Sequence, residues 1–216
     1  MKLFPALTGT LLLGVAASVA QNSPAPIRWA EGAPNATSEV KNDAKIEGLK
    51  TDDVHIFVSL SDLKETEYNR VWVQVSNQGK TAIDIDPQSA MLVNVKDKTV
   101  RAEAADKTAH SIQKFGEAKS QELSSAHCPN MIATGCQPTN SQMQMSKQVA
   151  AYSNQQAQWV KDNALEHKSI AAGEEAKGYI FFKKDKKKSD YVLRIPVGTE
   201  VFEFPFTADN KVPSYD

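Results

Sequence analysis

The sequence predicts a mainly β protein, an antiparallel β-sandwich interrupted by a helical, Cys-containing insertion. Three observations predict it. The chain closes on three strand-like runs, Gly178–Lys183, Asp190–Pro196 and Glu200–Phe206, each apolar or alternating and bounded by turn residues. Upstream, Val54–Leu60 and Arg70–Ser76 alternate strictly, with Val54, Ile56, Val58 and Leu60 on one face and Val71, Val73 and Val75 on the matching face. Between these groups, Ser141–Leu165 holds no proline or glycine, and Met143, Ala150, Ala157 and Ala164 recur at helical spacing with Val149 and Val160 beside them.

Taken in order, residues 1–20 read as a signal peptide. Lys2 supplies the positive start, Leu11–Ala17 the short apolar run and Ser18-Val-Ala20 a small-x-small cleavage site. The run falls short of the roughly 20 apolar residues of a membrane span. Export with cleavage near Ala20 is therefore expected, to the periplasm or the extracellular space. Residues 21–53 are rich in Pro, Ala, Asn, Ser and charge and read as a flexible leader. The sandwich is expected over 54–207, with 208–216 a tail. Its first half continues through Ala82–Asp86, stopped by Pro87, then Ala90–Val95 and Thr99–Ala102. The insertion is expected over 113–164. Its stripe is made mostly of small residues, so it should lie against the sandwich rather than stand free. Phe202, Phe204 and Phe206 share one face of the last strand, and Pro205 marks that strand as an edge.

Two stretches carry a resemblance. Val73-Gln-Val-Ser-Asn-Gln-Gly-Lys-Thr-Ala-Ile-Asp-Ile-Asp-Pro87 and Ile170-Ala-Ala-Gly-Glu-Glu-Ala-Lys-Gly-Tyr-Ile-Phe-Phe182 resemble the paired-strand motifs of secreted bacterial immunoglobulin-like domains of unknown function. The likeness extends to Leu193–Val197 and Phe202–Phe206 and leaves out the insertion. It implies an immunoglobulin-like β-sandwich that binds a partner.

The chemistry-bearing residues are few. Charge is balanced, 25 basic against 26 acidic residues, so no overall field points to nucleic acid or to an anionic membrane. There is no Gly-x-Ser-x-Gly elbow and no phosphate-binding glycine loop. The acidic pairs Asp84 with Asp86 and Glu174 with Glu175 read as solvated carboxylates, and Lys183–Asp190 as a solvated hairpin tip. No catalytic, cofactor-binding or metal residue is assigned. Cys128 and Cys136, in an exported chain, are expected to form a disulfide. His127, Cys128, Met131, Cys136, Met143 and Met145 form a sulfur-rich set of soft-metal ligand types, but a helix would point Met143 and Met145 about 200° apart. The reading is an exported, non-catalytic binding or protein-interaction module of the envelope or extracellular space. The alternative is soft-metal (copper) handling through the insertion. The partner is an unknown envelope or extracellular protein, held by a sheet edge or by the insertion surface.

Overall fold

The computed structural model of the 216-residue chain describes residues 25–41, 44–63, 66–94, 96, 98–125, 139–184 and 190–206. The signal peptide, the Cys128–Cys136 disulfide and the tail expected from the sequence lie outside the described residues.

Twelve strands and two helices follow in the order β1 (Ile27–Arg28), β2 (Ala36–Lys41), β3 (Ala44–Lys50), β4 (Val54–Asp62), β5 (Tyr68–Asn77), β6 (Ile83–Ile85), β7 (Met91–Asn94), β8 (Thr99–Glu103), α1 (Ala105–Ser125), α2 (Asn140–Asn163), β9 (Lys168–Ile170), β10 (Glu175–Lys183), β11 (Tyr191–Val197) and β12 (Glu200–Phe206). The strands hydrogen-bond in the order β1-β12-β11-β7-β8-β10-β5-β4-β3-β2, with β6 paired to β11 and to β9 beside that path. Every named pair is antiparallel except β1 with β12.

The protein is thus mainly β with a helical excursion, as the sequence predicts. The sheet differs from the two separate layers expected, because it is continuous. The cause lies in β8, which changes partner along its length. Thr99–Arg101 pair with β7, whereas Ala102 and Glu103 pair with β10. The sheet therefore curls into a half-barrel whose concave face encloses one core. Val54, Ile56, Val58, Val71, Val73 and Val75 come to it from one side, and Leu92, Leu193, Ile195, Phe202 and Phe204 from the other. Full burial of each such side chain stabilises the fold by roughly 1.5–3 kcal/mol, so most of the stability resides here.

The stretch 21–53, expected as a flexible leader, instead supplies β1, β2 and β3 in its described part. Trp29 and Leu49 are core residues, and the Trp29 indole Nε1 donates to the Thr37 carbonyl at 3.0 Å. The segment from β1 to β2 therefore joins the two ends of the curled sheet. A buried carboxylate held by two partly exposed arginines pins the β1 end. Glu203 on β12 is fully buried and accepts from Arg28 at 2.7 and 2.9 Å and from Arg194 at 2.6 Å. Both carboxylate oxygens are satisfied, which a buried charge requires.

Both helices are amphipathic and pack antiparallel on the convex face of the sheet. The helical excursion begins at Ala105, eight residues before the expected Gln113, since α1 adds its own stripe of Thr108, Ala109, Ile112 and Gly116. A second, smaller core forms beneath the helices from Leu63, Tyr68, Ala109, Ile112, Ala157, Val160 and Phe181. Among the described residues no helix is long and apolar enough to cross a membrane.

Candidate functional site

The candidate site is the groove between α1 and α2, above the turn that joins β4 to β5. Its geometry starts from how closely the two helices approach. A Cβ on Gly116 would lie on Ser153, so only glycine permits this crossing. Farther out, the Ser120 and Ser146 hydroxyls meet at 2.6 Å. Thr139 and Gln142 close a capping box at the start of α2, satisfying backbone donors that the helix leaves free.

The base of the hairpin is held by aromatics. Trp159 of α2 packs on Tyr179 of β10 at 4.9 Å and meets Phe181 edge-on at 6.4 Å. The Arg70 guanidinium stands 5.0 Å over Trp159 and 5.4 Å over Tyr179, and its Nε donates to Ser61 at 3.0 Å. At the exit from α2 the chain crosses β10 so closely that a Cβ on Gly178 would clash with the backbone of Ala164 and Leu165.

The groove runs along one flank of the Gly116–Ser153 crossing. It encloses about 640 Å³ and is lined by Ile112 and Phe115 of α1, Val149 and Tyr152 of α2, and Thr66 and Glu67 of the β4–β5 turn. Phe115 is 45% exposed and Tyr152 38%, on helices whose exposed faces are mostly Gln, Ser and Lys. Lysine stands at the rim. Lys119 pairs with Glu122 at 2.8 Å, and Lys183 with Glu67 at 3.6 Å. The Lys184 ammonium reaches the Thr66 carbonyl at 2.7 Å, tying the end of β10 to the groove wall.

A second depression, of about 410 Å³, lies at the other end of the hairpin and is lined by Asp86, Glu103, Asp106, Glu166, Lys161 and His167 among others. Two of its acids are ion-paired: Glu103 with Lys107 at 3.1 Å and Asp106 with Lys161 at 3.3 Å. The Tyr68 hydroxyl donates to Glu103 at 2.9 Å, and burial together with that carboxylate pushes its phenol above the usual range.

Of the residues singled out in the sequence, Met143 and Met145 lie on α2, both exposed and two positions apart, so the helix turns their sulfurs away from each other. His127, Cys128, Met131 and Cys136 are outside the described residues. No group of three or more His, Cys, Asp or Glu side chains suited to a metal occurs among the described residues. Asp86 caps the turn at Pro87 through its bond from the Gln88 amide at 3.0 Å, and Glu175 accepts from Gln74 at 2.9 Å. His55 stacks on Phe57 at 4.2 Å, and burial with nearby Lys50 lowers its pKa. Trp72 is half-buried on the convex face, between Ser59 and Tyr179 on the neighbouring strands. Sequence reasoning missed Phe115, Tyr152 and the Trp159–Arg70 anchor. Their signal was present, as aromatics at the border of a small-residue stripe.

No protein family and no curated protein sequence matches the chain. Among solved structures, the yjhA protein from Bacillus subtilis aligns with a TM-score of 0.36 at 12% identity, over 67% of this chain and 75% of that one. A functionally unknown protein from Listeria monocytogenes EGD-e aligns with a TM-score of 0.29 at 10% identity, over 81% and 83% of the two chains. At these scores neither likeness bears on function.

Proposed function

We propose that the protein is an exported, non-catalytic interaction module whose partner docks in the groove between α1 and α2. The observation that carries this reading is the pair of exposed aromatics, Phe115 and Tyr152, lining an apolar groove. Rigid aromatics in a concave site are the side chains that dominate binding energy at protein interfaces. The occupant we infer is an apolar-faced segment of another envelope or extracellular protein, acidic along one edge. Apolar lining calls for the first property. The rim lysines Lys119 and Lys183, exposed and held in surface ion pairs that an acidic partner could exchange, suit the second.

Export rests on the signal-like residues 1–20. The immunoglobulin-like reading of the sheet rests on the resemblance of Val73–Pro87 and Ile170–Phe182, and is supported by two strand groups facing each other across one core.

The test places a photo-activatable cross-linker at Val149 in the full chain expressed in its own envelope. We expect one protein adduct, weakened by salt and lost when Phe115→Asp is added. A cross-linker at Asp84, outside the groove, should give no such adduct. An adduct at Val149 indifferent to Phe115→Asp would refute the site.

A further inference from the structure

The curled sheet ends at β2, which pairs with β3 on one side only. Residues 37–41 of this strand are exposed, Val40 to 54%. A strand open along one edge is a template for another strand. We propose that β2 is a self-association surface, pairing antiparallel with β2 of a second copy about a two-fold axis at Val40.

The register follows from which backbone groups face outward. The Lys50 amide donates to the Asn35 carbonyl at 2.9 Å, which makes Asn35 and Lys50 a hydrogen-bonded pair. Bonded pairs alternate along an antiparallel ladder. Thr37, Glu39 and Lys41 therefore turn their backbone groups toward β3, and Ser38 and Val40 turn theirs to the open edge. A symmetric partner strand must set outward-facing residues opposite each other. The outward Ala36 amide already donates to the Ala33 carbonyl at 3.0 Å, which leaves registers centred on Ser38, Glu39, Val40 or Lys41.

Charge selects among them. Centring on Glu39 or on Lys41 sets like charges face to face. Centring on Ser38 sets Glu39 against neutral Thr37. Centring on Val40 sets Glu39 of each copy against Lys41 of the other, twice by symmetry, with Val40 on Val40 between them. The Glu39–Lys41 pairs then occupy the non-hydrogen-bonded sites, where facing side chains lie closest. Neither Glu39 nor Lys41 has an ion-pair partner among the described residues, so both are available. Charges on an edge strand ordinarily discourage pairing. Here they oppose the Glu39- and Lys41-centred registers, leave the Ser38-centred one neutral and favour the Val40-centred one.

Analytical ultracentrifugation over a concentration series is the test, with the full mature chain. The wild type should show a monomer–dimer equilibrium. Val40→Pro removes an outward N–H while leaving the ladder to β3 intact, and should abolish dimer formation with an unchanged circular dichroism spectrum. Glu39→Lys alone and Lys41→Glu alone should each weaken dimerisation about tenfold, and the double exchange should restore it. A wild type that stays monomeric throughout, or a dimer undiminished by Val40→Pro, overturns the proposal. Single and double charge variants that behave alike overturn the register.

Discussion

Asn77 illustrates how much of this fold hangs on single polar side chains. It is fully buried at the end of β5, where its Nδ2 donates to the Thr81 and Ile170 carbonyls at 2.8 Å each and its Oδ1 accepts from the Gly79 amide at 3.0 Å. One side chain thereby ties the β5–β6 turn to β9. Asn77→Ala loses three bonds and strands the buried Ile170 carbonyl. It should cost about 2–4 kcal/mol, read as a lower urea midpoint with an unchanged slope. Glu47 makes the opposite case, a buried carboxyl that costs stability. It lies on the concave side of β3, where Lys45 pairs with it and Oε2 has no partner among the described residues. Burial pushes its pKa above the ordinary 4.5, against the pull of Lys45. Between the ordinary and the raised value the folded chain holds a proton that the unfolded chain has released. Glu47 therefore costs stability above that window and the cost is relieved as pH falls through it. Glu47→Gln should equal or exceed the wild type in urea melts at neutral pH, with its advantage shrinking on acidification. A variant that is worse at neutral pH than at acid pH would contradict this.

At the scale of elements, the strands whose apolar residues alternate cleanly were legible. The ranges expected at 54–60, 70–76, 82–86, 90–95 and 99–102 correspond to β4 through β8, and the three closing runs to β10, β11 and β12. What hid β3 was its composition. Lys45, Glu47 and Leu49 share its inward face, and a buried glutamate beside a lysine looks like solvent-facing charge in a sequence. β2 is exposed along almost its whole length, so no core pattern was imposed on it. α1 escaped notice because its buried stripe includes Thr108 and Gly116, residues chosen for close helix approach rather than for hydrophobicity. The groove was illegible for a related reason. Phe115 and Tyr152 lie on different helices and become neighbours only when Gly116 lets those helices meet.

At the scale of the whole molecule, the protein divides by energetics. The half-barrel carries the large aliphatic and aromatic core, and the hairpin closes a smaller one, seven buried residues among those described, against it. The two ends of the hairpin return to the same edge of β10. Glu103 pairs with Phe181 and Ala164 bridges Tyr179, two residues along that strand, so a short linker spans the gap. The sheet should fold without the hairpin, with reduced stability from the uncovered Phe181, Tyr68 and Leu63, and partner binding should leave with the hairpin. The most direct measurement replaces residues 105–163 with a short Gly–Ser bridge, then records urea unfolding and competition with the full-length chain for the cross-linked partner. The account predicts a cooperatively unfolding, β-rich protein that no longer competes. An aggregated or unfolded product, or a folded one that still competes, would contradict it.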